Sequence, residues 1–207
     1  MKGEKASFTI SPEYGYGAAG LPEKGVPPNA TLKYEIELVE LEKEKETYKM
    51  DIPEKIEFAK TKKEQGNTFF KNGKTNIAIK RYESAISAIK YTSDFSEEEK
   101  KQAEEIQVAC EVNITIANSK LKKWKEVITH ADNALKLNPT NIKALFKKGV
   151  ALIEKDDWDA ARAALNKVLE LDANNVDAKK ELAKMNKRIQ AQNEKDKQLY
   201  QKMFKAL

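Results

Sequence analysis

Residues 31–42, TLKYEIELVELE, set apolar Leu32, Tyr34, Ile36 and Leu38 against charged Lys33, Glu35 and Glu37. A period of two in β-branched and aromatic residues predicts a half-buried antiparallel strand. Residues 5–10, KASFTI, predict a shorter strand. Between them runs SPEYGYGAAGLPEKGVPPNA, a long loop of turn-forming residues. Two strands alone do not make a stable domain, so this pattern predicts that other structure completes the sheet. From about Pro53 onward the apolar period becomes 3.6, segments are nearly free of Gly and Pro, and Ala, Lys, Glu and Leu dominate. This predicts helix through to the last residue.

The helical part repeats itself. Trp124 and Trp158 are 34 residues apart, and three units superpose: 59–92, 108–141 and 142–175. Each carries a small or turn residue early (Gly66, Thr115, Gly149) and a position filled by Tyr82, Ala131 and Leu165. Each has a small or β-branched residue three further on (Ala85, Ala134, Val168), and Ala78, Val127 and Ala161 share a phase. This spacing resembles the tetratricopeptide repeat (TPR) over 59–175. The repeat implies three helical hairpins whose apolar faces are buried only by stacking, with a concave groove lined by the first helix of each. Phe69, Tyr82, Trp124 and Trp158 are expected to fill the gaps between hairpins. Residues 93–107 are expected to be an insertion, a loop ending in a helix that extends the second hairpin. Residues 45–58 are read as a linker and the start of the first helix, and 176–207 as a long helix capping the stack through Leu182, Met185 and Ile189. The expected fold class is therefore mostly α, an α-solenoid of three hairpins and a capping helix, preceded by a β hairpin in residues 1–44.

Composition narrows the function classes. Of 207 residues, 38 are Lys or Arg and 33 are Asp or Glu, a net charge of +5. That excess is too small to point to a nucleic-acid partner, and it is local, in the first helical part (51–92) and the last 32 residues. No apolar run is long enough to span a bilayer, and the first ten residues lack the layout of a signal peptide. The single cysteine, Cys110, has no partner for an internal disulfide, which fits a reducing compartment such as the cytoplasm or nucleus. One histidine, His130, makes a His-rich metal site or a Ser-His-Asp triad a poor fit. GYGAAG lies outside any strand–turn–helix unit, so it is read as a turn rather than a nucleotide loop. No metal and no cofactor are expected. Cys110, beside apolar Val108, reads as a buried thiol.

The groove carries polar residues that packing does not explain. Lys63 and Asn67 are four apart and share a helix face, as do Lys143 and Lys147. Asn113 stands between Val112 and Ile114, a poor choice for helix propensity or for burial. Ammonium and amide donors facing one groove suit a carboxylate, through charge-assisted hydrogen bonds. The pattern resembles the carboxylate clamp of TPR co-chaperones that hold the acidic C-terminal tail of Hsp90 or Hsp70. The resemblance implies that Lys63, Asn67, Asn113, Lys143 and Lys147 form the clamp. Lys147 departs from the Arg usual there, keeping the charge without the planar fork.

The front segment, FTISPEYGYGAAGLPEKGVPPNATLKYEIELVELE, closely resembles the C-terminal half of an FK506-binding-protein (FKBP) domain, through SPEYGYG, the PPNATL turn and the last strand. In that family an apolar pocket favours the twisted prolyl amide. The resemblance assigns Tyr16 to the pocket tyrosine, Val26 to a wall aliphatic and Tyr34 to a wall aromatic. The family's other pocket residues lie upstream of this segment and have no equivalents here. The chain is therefore expected to be the C-terminal part of an FKBP–TPR immunophilin, without prolyl isomerase activity of its own. The function this implies is Hsp90 co-chaperone. The alternatives are isomerase activity in a longer parent and a TPR scaffold for a non-chaperone ligand. The basic end of the last helix, with Leu199, Tyr200, Met203 and Phe204, suits calmodulin, an association also found in the family. A helix projecting into solvent or pairing in a dimer explains the same pattern.

Overall fold

A computed structural model describes the backbone of residues 3–39, 45–91 and 93–205, and the side chains of all of these but 199, 200, 202, 204 and 205. The described chain divides into two units, 1–46 and 47–207.

In the first unit, β1 (Lys5–Ile10) pairs antiparallel with β2 (Leu32–Glu37), with Phe8 opposite Tyr34 and Ala6 opposite Ile36. An ion pair of 3.3 Å joins Lys5 to Glu37 at one end of the ladder. The strand expected over 31–42 is shorter, Leu32–Glu37. Leu38 makes two further bonds, to Gly3 and Glu4, and residues 40–42 lie outside the described ones. The apolar face expected from the alternation is only partly covered, with Ala6, Ile10 and Leu32 half-buried. Ile36 is 54% exposed, Phe8 48%, and Tyr34 and Leu38 are exposed as well. Alternation marks an amphipathic strand but does not supply the surface that would cover it.

The second unit is helical: α1 (Ile52–Lys71), α2 (Thr75–Ala88), α3 (Glu97–Lys120), α4 (Trp124–Leu137), α5 (Ile142–Glu154), α6 (Trp158–Leu171) and α7 (Val176–Lys205). Local signals start these helices. Asp51 accepts from the Glu54 backbone at 2.9 Å while Glu54 accepts from the Asp51 backbone at 3.0 Å, a capping box with Pro53 in the first turn. Ser96 and Glu99 do the same for α3, whose first turn carries Glu97, Glu98 and Glu99 against the positive helix end. Asn141 and Asn175, 34 apart, cap α5 and α7 through the same contact to the third residue on, each at 3.0 Å. The turn inside each hairpin needs a left-handed residue. Gly73 supplies it first, at φ +77°, and Lys122 and Asp156 adopt φ near +57° in the other two, where an L side chain is strained.

Each hairpin closes by matching a small residue to a large one. A Cβ built on Gly66 would lie 2.5 Å from the Tyr82 ring, and one on Gly149 2.7 Å from Leu165. In the second hairpin the same two positions are Thr115 and Ala131, both buried. The core then runs through the stack. Ile56, Tyr82, Ile89, Ile106 and Ile114 fill the first part; Val112, Ala131, Ala134 and Ala144 bridge the second and third hairpins; Leu145, Ile153, Leu165 and Val168 fill the last. Trp158 and Phe69 are half-buried against these cores, and Tyr82, fully buried, shares the first cluster with Ile106, Cys110 and Ile114 of α3, the next hairpin's first helix. The insertion is pinned by buried Phe95 and becomes the first turns of α3. Ala178 and Met185 on α7 are fully buried against the third hairpin, with Leu182 and Ile189 beside them, and Arg188 pairs with Glu154 at 3.1 Å. Among the described residues no helix is long and apolar enough to cross a membrane.

Candidate functional site

The first helices of the three hairpins bring most of the expected donors together. Asn67 on α1 and Asn113 on α3 touch directly: Asn113 Nδ2 donates to Asn67 Oδ1 at 3.0 Å. The same oxygen accepts from the Tyr82 hydroxyl at 2.9 Å. With both lone pairs of its oxygen used, the Asn67 amide is fixed with its NH₂ turned away, toward Glu64 Oε2 at 3.1 Å. Lys63, one turn before Asn67, lies 3.4 Å from Glu64 Oε1. Burial pushes the Cys110 thiol up to about 12, and the Lys63 ammonium pulls it the other way, which places that charge against α3.

Lys143 stands across the groove. It lines, with Asn113, Val108, Ala109 and Val112, an open cavity of about 520 Å³ between α3 and the start of α5. Lys147 follows one turn along α5, half-buried, with its ammonium 5.7 Å from the centre of the Phe146 ring. Asn67 of α1 thus meets Asn113 of α3, and Asn113 shares a cavity with Lys143 of α5; amide and ammonium donors so grouped attract carboxylates.

Two residues of this site have no counterpart in the sequence reading. Tyr82 reads as core, and its ring is core, but its hydroxyl reaches the groove and orients Asn67. Burial holds that hydroxyl up to about 12, so it donates as a neutral phenol. Glu64 reads as one more surface charge; its place between Lys63 and Asn67 in sequence was the available signal. The Asn67 amide first, and Lys63 next among the groups favouring charge, hold the Glu64 carboxyl below its usual range.

A second polar cluster lies on another face. Glu111, 4% exposed, receives His130 Nδ1 at 2.7 Å and Asn133 Nδ2 at 3.4 Å, beside a cavity of about 500 Å³. His130 therefore has a carboxylate partner. Neighbouring Cys110 offers no nucleophile to this pair, since it is fully buried with its thiol held protonated. Among the described residues no group of His, Cys, Asp and Glu could hold a metal ion.

In the strand unit, Tyr16 and Tyr34 do meet. A hydrogen bond from Tyr16 raises the Tyr34 hydroxyl above its ordinary value. Both rings remain about two-fifths exposed, at 39% and 40%. Val26 is half-buried in the loop, where it pairs with Leu21. On α7, Met203 is exposed, while the side chains of Leu199, Tyr200 and Phe204 lie outside the described ones.

Comparison with known proteins matches both units. The family model of FKBP-type peptidyl-prolyl cis-trans isomerases matches residues 1–39, and a tetratricopeptide repeat model matches 120–185. The chain is 39% identical over 206 residues to the peptidyl-prolyl cis-trans isomerase FKBP4 of Bos taurus, covering all of this chain but 45% of that protein. The chain thus spans about half the length of the curated relatives it matches. Among solved structures, a multi-domain immunophilin from Arabidopsis thaliana superposes with a TM-score of 0.57 at 31% identity, over 81% of this chain and 67% of that one. The first TPR of Spaghetti (RPAP3), bound to the HSP90 peptide SRMEEVD, superposes with a TM-score of 0.54 at 27% identity, over 64% of this chain and 94% of that one. With an isomerase-family match over 1–39, a TPR match over 120–185, and a solved immunophilin matched at 31% identity over 67% of its length, the chain belongs to the FKBP-type immunophilins that carry a TPR domain.

Proposed function

We propose that the groove captures the acidic C-terminal tail of Hsp90, making this chain the chaperone-binding part of an FKBP-type co-chaperone. Lys63, Asn67, Asn113, Lys143 and Lys147 act as the clamp on the free carboxylate end. The observation that carries the reading is the 3.0 Å bond from Asn113 to Asn67, which joins two hairpins through their amides beside Lys63. Asn113 also shares a cavity lining with Lys143 from the third hairpin. The similarity to a TPR solved with an Hsp90 tail peptide supports the choice of ligand. Lys147 supplies charge to the site without the planar geometry of a guanidinium.

Titration of an acidic C-terminal pentapeptide by calorimetry tests this. The peptide binds, more weakly as salt rises. Amidating its end, or making Lys143→Ala, weakens it by about tenfold or more, the scale of a lost charged hydrogen bond. If neither change has an effect, the clamp assignment is wrong. An Hsp70 tail peptide in the same titration measures preference between the two chaperones, and binding that ignores the free carboxylate favours a non-chaperone ligand.

A further inference from the structure

Glu64 occupies the donors that the clamp reading reserves for the ligand. Its two oxygens divide between Asn67 Nδ2 at 3.1 Å and Lys63 Nζ at 3.4 Å. A carboxylate bridging an ammonium and an amide is the contact a chain end would make there. The Asn67 amide cannot turn elsewhere, because its oxygen is held by Tyr82 and Asn113. The Glu64 side chain is itself 66% exposed, so it leaves without disturbing any packing. Among the described residues Lys143 and Lys147 have no carboxylate within ion-pair distance, so this self-contact is confined to the first hairpin.

We propose that Glu64 is an internal stand-in for the ligand, occupying the Lys63 ammonium and the Asn67 amide in the free protein and swinging away when an anionic chain end binds. The inference rests on the clamp reading above. Capture is then an exchange of one carboxylate for another, which lowers affinity. Because the Glu64 carboxyl is held below its usual range, it stays charged wherever a ligand carboxylate does, and mild acid does not remove the competition.

Glu64→Ala tests this, with Glu57→Ala as the control. Glu57 lies two turns earlier on the same exposed side of α1, so its removal changes net charge equally without touching the site. Glu64→Ala is expected to bind the acidic pentapeptide about two- to fivefold more tightly than the parent, the range of a released exposed ion pair. Its affinity should fall more steeply with salt, and the side-chain amide resonance of Asn67 should shift in the unliganded protein. Glu64→Gln, which keeps a hydrogen-bond acceptor but no charge, should fall between. Unchanged or weaker binding by Glu64→Ala overturns the proposal, as does an equal gain from Glu57→Ala, which would mean long-range charge alone. If the parent fails to bind the peptide at all, the clamp reading falls first and this inference with it.

Discussion

The strand unit and the helical stack use the same device, an antiparallel pair joined by a turn, and finish with opposite surfaces. In β1–β2 the pairing satisfies backbone groups and stops there, leaving Phe8 and Ile36 about half exposed. In the stack each pair has a further pair laid upon it, and Tyr82, Ile114, Leu165 and Met185 lose nearly all contact with water. Hydrogen bonding and burial are therefore separate achievements. Local pairing delivers the first, and only a second layer delivers the second. The groove follows from that second layer, because three stacked first helices are what bring Asn67, Asn113 and Lys143 together.

The comparison can be broken by mutation. The largest expected effect is Leu165→Ala, which empties a fully buried site and should cost about 2–5 kcal/mol, read as a lower urea midpoint of the helical circular dichroism. Gly66→Ala comes next. Its Cβ would collide with the Tyr82 ring, for about 1–3 kcal/mol of overpacking, and Tyr82→Leu in the same chain should restore part of the loss. High pH should also act on the stack. The Cys110 thiol is held up to about 12 when folded, whereas an unfolded thiol ionises near 8.5. The folded chain then keeps a proton that the unfolded chain gives up. Stability is complete below about pH 8.5 and declines as pH rises toward 12, measurable in urea melts between pH 8 and 11. In the other direction, Lys122→Gly relieves a left-handed residue and should add about 0.5–1 kcal/mol to the same midpoint. Smallest of all, Ile36→Ser on the open strand face should leave the helical transition within about 0.5 kcal/mol. A loss of 2 kcal/mol or more there would mean that the two units stabilise each other.

Much of this was legible in the residues. The 34-residue spacing of the tryptophans reappears as equivalent helix starts, and the caps Asn141 and Asn175 and the left-handed Lys122 and Asp156 keep that interval, whereas Gly73 stands 49 residues before Lys122 because of the insertion. The positions of Lys63, Asn67 and Asn113 follow from helix periodicity once the hairpins are aligned. What escaped has physical reasons. Strand alternation records which side chains share a face and is silent on whether that face is covered. The Tyr82 ring and hydroxyl do different things, and a pattern of apolar positions registers only the ring. Glu111 and His130 are 19 residues apart on neighbouring helices, so their 2.7 Å contact depends on helix rotation that spacing does not encode. Glu64 beside Lys63 looks like any exposed charge pair until the Asn67 amide is seen to be locked.

One consequence comes from the inserted segment. Phe95 anchors it and Ser96 caps it, so the inserted residues extend a helix instead of forming a floppy loop. The result is that α3 has 24 residues where α5 has 13, a difference of about three turns. Ala103 and Ile106 pack one side of the extension into the first core, which leaves a polar side. Lys101, Glu104 and Glu105 hang from it and form the outer side of the cavity that Asn113 and Lys143 line. With α1 at 20 residues and α3 at 24, the third hairpin is the short one, and the cavity lies where α5 starts beside the longer α3.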